Sequence, residues 1–270
     1  MRIHRSSNDR TAWWLIIAVI ASAGRPNPAQ ADDCRAFSAA KVTPVIELYT
    51  SEGCNSCPAA ERWLASQLKD DSLIALAFHV DYWDYLGWHD RFASPRFSRR
   101  QHDRVQQAGG RVSYTPQLMI GTRTQVNWRS SAELQSALQA AAVPAQLHLE
   151  LRLQPTPGSL QVEVLAQPIA PRDWPDLDML LWVAVLEDDL TSSVRAGENR
   201  GQQLHHQRVV RQWLGPQRLH ATRPQLHSAI EWQADWQRSA TRIAAIVQAA
   251  QDGRVLAAVE QHLAKCLAWQ

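Results

Sequence analysis

Two cysteines separated by two residues, Cys54-Asn-Ser-Cys57, fall where a strand should turn into a helix. Val45-Ile-Glu-Leu-Tyr-Thr50 reads as a buried strand, Ser51-Glu-Gly53 as a turn, and Pro58 to Leu68 as an amphipathic helix. A thiol at a helix N-terminus meets unpaired backbone N–H groups and the positive end of the helix dipole. Both favour the thiolate, the form that attacks disulfides. Cys57 is one turn further on, close enough to resolve a mixed disulfide. The chemistry this predicts is thiol–disulfide exchange, with Cys54, nearer the turn and solvent, attacking and Cys57 resolving.

The competing use of such a pair is a structural zinc half-site, which needs a second ligand pair. The chain has no second Cys-x-x-Cys, and His79, His89 and His102 lack tight ligand spacing, so no metal is assigned. No cofactor beyond the dithiol is required. Thiolates also select Cu(I), and His79 at a strand end could join the two sulfurs; a satisfied structural histidine is the plainer reading. Glu47, an acid inside an apolar strand, is a candidate proton acceptor for the resolving cysteine, with burial raising its pKa. Glu52 in the turn could act on the thiol directly, although a solvated carboxylate is the simpler expectation.

The elements that must hold this pair alternate strand and helix. Leu73 to Val80 is a buried strand, Ser94-Pro95 caps a helix running to about Ala108, and Thr115 to Ile120 is another strand. Thr124 to Trp128 is its expected hairpin partner, and Ser130 to Ala142 a further helix. This predicts an α/β layer with parallel pairing at its centre. Trp83 and Trp88 lie in a connector dense in aromatics, Tyr82 to Trp88. They could wall an extended peptide beside the dithiol; a local hydrophobic cluster is the alternative. Arg91, Arg96, Arg99, Arg100 and Arg104 make the following helix basic, which reads as a solvated face or, less simply, a docking patch.

From about residue 145 the pattern changes. Leu147, Leu149, Leu151 and Leu153 alternate with His148, Glu150 and Arg152, and Asp252-Gly253 separates two apolar runs as a hairpin turn would. The predicted architecture is an α/β domain over 32–144 followed by a mostly antiparallel, sandwich-like β domain over 145–270.

Residues 1–31 carry Arg2, Arg5 and Arg10, an apolar run from Ala12 to Ala23 and Ala29-Gln-Ala31, the order of a secretory signal peptide. Its apolar core is short for a membrane span, so no stable span is expected after its removal. Without it, 24 basic side chains face 25 acidic ones, and no general affinity for nucleic acid follows. Export places the chain in the periplasm or outside the cell, where disulfides persist. Cys34 and Cys266, at the two ends of the exported chain, are candidates for a structural disulfide.

Strand, Cys-x-x-Cys, helix and a later Thr115-Pro116 before a strand resemble the thioredoxin fold. That resemblance implies a cis Pro116 facing the dithiol, with Tyr114 and Thr115 beside it in substrate binding. Glu47 stands one residue further from Cys54 than the buried thioredoxin acid would, enough to flip the strand face. More closely, the chain resembles the secreted thioredoxin-like family catalogued as domain of unknown function 1223. The resemblance runs through Glu47-Leu-Tyr-Thr-Ser-Glu-Gly-Cys-Asn-Ser-Cys-Pro58 and His79-Val-Asp-Tyr-Trp-Asp-Tyr-Leu-Gly-Trp88. It continues through Phe92-Ala-Ser-Pro-Arg-Phe97, Tyr114-Thr-Pro-Gln117, Gly197-Glu-Asn-Arg-Gly201 and Val209-Val-Arg211. The family implies the fold and no substrate. Gly197 to Gly201, with His205 and His206 downstream, suits a tight loop, or one turned toward a cleft.

The function these residues predict is an exported oxidoreductase acting on protein or peptide thiols and disulfides, recycled by an unidentified redox partner. The alternative is a periplasmic copper-handling or peptide-binding module whose dithiol does no catalysis.

Overall fold

A computed structural model describes residues 34–68, 72–170 and 174–266. The signal segment expected over 1–31 lies outside the described residues. In chain order, β1 (Cys34–Phe37) and β2 (Val45–Thr50) precede α1 (Cys57–Gln67) and β3 (Ile74–His79). Then come α2 (Pro95–Gln107), β4 (Gln117–Ile120) and α3 (Ser131–Ala141). The rest is strand: β5 (Leu147–Thr156), β6 (Ser159–Pro168), β7 (Met179–Glu187), β8 (Leu190–Ser193) and β9 (Gln203–His206). β10 (Val209–Leu219), β11 (Gln225–Glu231), β12 (Thr241–Ala249) and β13 (Val255–His262) complete it. The described residues are mostly β, with antiparallel sheets and three α-helices. Among them no helix is long and apolar enough to cross a membrane.

One seven-stranded sheet runs β13-β12-β7-β10-β3-β2-β4. β3 pairs in parallel with β2 on one side and β10 on the other, while the remaining pairs in this sheet are antiparallel. Strands from before and after residue 144 therefore share a single sheet, and the described residues fall within one compact unit.

Alternation along β2 divides the core. Val45 and Tyr49 point to one face, where they pack with Phe78 of β3 and with Phe97 and Val105 of α2. Ile46 and Leu48 point to the other, beneath Ala60 and Leu64 of α1 and Leu134 and Ala137 of α3. Further along that second face a four-stranded antiparallel sheet, β1-β5-β6-β11, covers β7 and β12. Leu147, Leu149, Leu151 and Leu153 face inward there against Val183, Val185, Ile243 and Ala245. Each such fully buried aliphatic chain contributes about 1.5–3 kcal/mol. β1 is held twice, by pairing with β5 in this sheet and by a disulfide from Cys34 to Cys266, just beyond β13 of the other sheet, with a Cα–Cα distance of 5.2 Å.

Two sequence expectations need correction. Thr124 to Trp128 forms no strand: Gly121, with φ +58°, turns the chain, and only an Ile120–Arg123 bridge and Val126 N–H to Leu118 O follow. The α2 arginines are not a uniformly solvated face either, since Arg100 and Arg104, four apart and so on one side of the helix, are buried against the sheet.

Candidate functional site at the dithiol turn

Cys57 opens α1, Pro58 follows it, and the N-cap Ser56 makes no side-chain cap. The first-turn N–H groups are thus left without a side-chain acceptor from the cap residue. Cys54 and Cys57 are joined as a disulfide, Cα–Cα 5.5 Å, and Cys57 N–H donates to Cys54 O at 3.2 Å. Cys54 Sγ sits 3.4 Å from Ser56 Oγ. The solvent-facing Cys54 expected from sequence is not found. Cys54 is 1% exposed and Cys57 0%, while Asn55 and Ser56 between them are exposed.

The 197–201 loop is bonded to the same turn. Asn199 Nδ2 donates to Glu52 O at 2.8 Å and to Cys54 O at 2.9 Å, and Asn55 N–H donates to Glu198 Oε2 at 2.9 Å. Gly197, at φ +71°, has no Cβ; one added there would lie 3.5 Å from Trp88 Cβ and 3.8 Å from Gly53 Cα. Sequence left this loop without an orientation. The structure clamps it onto the dithiol turn.

The Thr115–Pro116 peptide is cis. Trp83 links it to the turn: Trp83 Nε1 donates to Thr115 Oγ1 at 2.7 Å, and its Cβ would be 3.0 Å from a Cβ on Gly53. Trp88 Nε1 donates to Glu52 Oε2 at 2.6 Å. Both indoles are partly exposed and engaged in the frame of the turn. Tyr114 is exposed, with its carbonyl held by Gln101 Nε2 at 2.8 Å.

Glu47 sits on the face opposite α1, sharing it with Tyr49 and α2. It accepts from Tyr49 OH at 2.6 Å and from Arg100 Nε and Nη2 at 3.0 and 2.7 Å, with Arg104 Nε at 3.5 Å. Burial acts to raise its pKa, but the two guanidinium groups outweigh it and hold the carboxyl below the ordinary range. The raised pKa and proton role expected of Glu47 are therefore corrected: the one-residue offset put it on the wrong face.

A different set of acids lies beside the dithiol. Glu61 stands four residues after Cys57, on the same side of α1. It accepts from Thr50 Oγ1 at 2.5 Å and pairs with His206 Nδ1. His206 Nε2 is 3.2 Å from Glu52 Oε1, and Glu52 is buried rather than solvated. His79 Nδ1 donates to Asp90 Oδ2 at 2.7 Å, and Asp90 also accepts from Glu52 N–H at 2.9 Å. Burial acts to lower the His206 pKa, yet Glu61 and Glu52 push it up to about 10. Asp90 raises that of His79 in the same way against burial. Burial would raise Glu61 and Asp90, but the imidazoles they face hold both below the ordinary carboxylate range. Sequence reading missed Glu61 and Asp90 and gave His206, named only as lying downstream of the 197–201 loop, no role; the three come from separate stretches, and the Cys57–Glu61 spacing was the one local signal.

No curated protein matches the chain. Among solved structures, protein AGR_C_4864 from Agrobacterium tumefaciens is 20% identical with a TM-score of 0.59, covering 81% of this chain and 93% of that one. HBP35 of Porphyromonas gingivalis is 18% identical with a TM-score of 0.63, covering 84% of this chain and 77% of that one. At such identities the likeness concerns the fold alone. The family model described as Protein of unknown function (DUF1223) matches residues 45–248, and the chain belongs to that family.

Proposed function

We propose that this protein is an exported thiol–disulfide oxidoreductase of thioredoxin-like topology, acting on protein or peptide substrates through Cys54 and Cys57. The observation that carries this reading is the disulfide at the uncapped start of α1, between parallel strands β2 and β3, with Thr115 bridged to its turn by Trp83. The charged, apolar and small-residue order of residues 1–31 supports export to the periplasm or beyond.

In the oxidising direction a substrate thiolate attacks Cys54 Sγ. The Cys54–Cys57 bond breaks and Cys57 leaves as a thiolate that takes up a proton. A second substrate thiolate then attacks the substrate sulfur of the mixed disulfide, the bond to Cys54 breaks, and Cys54 leaves as a thiolate that takes up a proton. The substrate is left oxidised and the protein holds two thiols. Reduction of a substrate is the same path in reverse, and a redox partner restores the starting state. Glu61, one helical turn from Cys57 and hydrogen-bonded to Thr50 and His206, replaces Glu47 as the acid placed to influence the resolving sulfur.

The burial of both sulfurs favours a second reading, a peptide- or copper-handling module with a non-catalytic dithiol. Equilibration of the purified protein in glutathione buffers, with the dithiol fraction read by alkylation and mass, separates the two. The oxidoreductase reading expects a reversible Cys54–Cys57 couple and insulin reduction or oxidative refolding activity lost in Cys54→Ser. A pair that never exchanges, with no activity in either assay, refutes it.

A further inference from the structure

Glu61 from α1, His79 from the end of β3 and His206 from the end of β9 each offer a ligand atom within 4.8 Å of the others. All three are buried. We propose that His79 through Nε2, His206 through Nδ1 and Glu61 through a carboxylate oxygen form a binding site for a divalent first-row transition cation. This site is distinct from the two sulfurs, and the proposal stands whether or not the redox reading does.

Three independent features carry it. The first is an orphan: His79 Nε2 is buried, on a residue 0% exposed, with no hydrogen-bond partner among the described residues. Its ring is fixed by Nδ1–H donating to Asp90, which leaves Nε2 as the nitrogen the ring can offer to the cluster. The second is the outer shell. Metal-ligating histidines nearly always give their other ring N–H to a carboxylate or carbonyl, which fixes tautomer and orientation. Here Asp90 serves His79, Glu52 stands 3.2 Å from His206 Nε2, and Thr50 holds the far oxygen of Glu61. Two of the three prospective ligands thus have a hydrogen-bonded outer partner, while His206 Nε2, which makes no hydrogen bond among the described residues, faces Glu52 at ion-pair distance.

The third is charge. Glu52, Glu61 and Asp90 are buried together, and among the described residues their partners are imidazoles, Thr50, Trp88 and backbone amides, with no lysine or arginine. Buried carboxylates require compensation, by protons on the two imidazoles or by a cation in their place. His206 Nδ1 is paired directly with Glu61. A cation displaces the proton between them and takes both atoms as ligands. Two imidazoles and a carboxylate suit zinc and its neighbours; such a set lacks the thiolates that select Cu(I) and the oxygen cage that calcium or magnesium needs. Three protein ligands also leave a fourth position free, as in reactive zinc centres.

The test is the zinc content of the oxidised protein purified from cells grown with added zinc, with the absorption spectrum of a cobalt-exchanged sample alongside. The expected result is a single equivalent of zinc, retained when Cys54 and Cys57 are both replaced by serine. Cobalt should show the bands of a low-coordinate nitrogen and oxygen site without thiolate charge transfer. Asp90→Asn, which removes one carboxylate charge and weakens the outer hydrogen bond to His79 without touching a ligand atom, should weaken zinc binding about 10–100-fold. His79→Gln should abolish it. Absence of zinc from the wild type, loss of zinc with the cysteines, or unchanged zinc in folded His79→Gln would each overturn the site. The cobalt spectrum reads the ligands in the wild-type protein, so a variant that misfolds does not decide the outcome.

Discussion

Glu47 is held ionised between Arg100 and Arg104, so its effect on stability has a definite sign with pH. Its folded pKa lies below the ordinary value, near about 4.3 for an unfolded glutamate. The stabilisation is complete above that unfolded value and is lost as pH falls through the folded one. Glu47→Gln strands two buried guanidinium groups and should cost about 3–5 kcal/mol at neutral pH. Urea unfolding of both proteins should show the gap closing under acid, and a gap that stays constant would refute the ion-pair account. On the other face of the sheet, Glu198 places a carboxylate on the Asn55 amide beside the dithiol. Removing that charge in Glu198→Gln should let reduced Cys54 form its thiolate more readily, so iodoacetamide alkylation at neutral pH should speed up by about two- to fivefold, as for a single exposed charge. Slower alkylation would reverse the assigned polarity.

At the scale of elements, the 197–201 loop is bonded directly to the backbone of the dithiol turn. Asn199 makes two of its bonds to the turn, each contributing about 0.5–1.5 kcal/mol net. Asn199→Ala should leave the sheet folded and raise the rate at which dithiothreitol reduces Cys54–Cys57 by about tenfold or more, following a local opening free energy lowered by at least about 1.4 kcal/mol. An unchanged rate would mean that reductant reaches the sulfurs by another route. This loop also marks the limit of what periodicity could reveal. β2, α1, β3, α2 and α3 were legible because apolar period, caps and prolines agreed within each segment, and β5 and the β12–β13 hairpin because alternation and Asp252-Gly253 are local signals. β8 and β9 pair only with each other, mix serine, threonine and histidine, and offered no such pattern. β10 is broken by bulges, one spanning Gly215-Pro216 where a proline lacks the ladder donor. The site divides the same way. Cys54, Cys57 and Pro116 could be read from neighbours in sequence, whereas the Glu61–His206 pair spans 145 positions and exists only once β9 is placed beside α1.

For the whole molecule, two long-range ties join segments far apart in the chain. The Cys34–Cys266 disulfide closes a loop of 232 residues, for which the chain-entropy account gives about 5 kcal/mol. Cys34→Ser with Cys266→Ser should lower urea stability by up to that amount and leave the exchange chemistry of Cys54–Cys57 intact; loss of exchange in a folded double variant would tie the two disulfides together. The other tie is the parallel contact of β10 with β3, at Val209 and Ala77. A fragment ending at residue 144 would keep the dithiol, α1 and the cis proline, yet it would bare the β10-facing side of β3. Unpaired N–H and C=O groups on a strand as apolar as Ile-Ala-Leu-Ala-Phe make a template for another chain. The dithiol half should therefore precipitate or pair edge to edge when expressed alone, and a soluble miniature of this protein would need a charge or a proline written into β3 before anything is cut away.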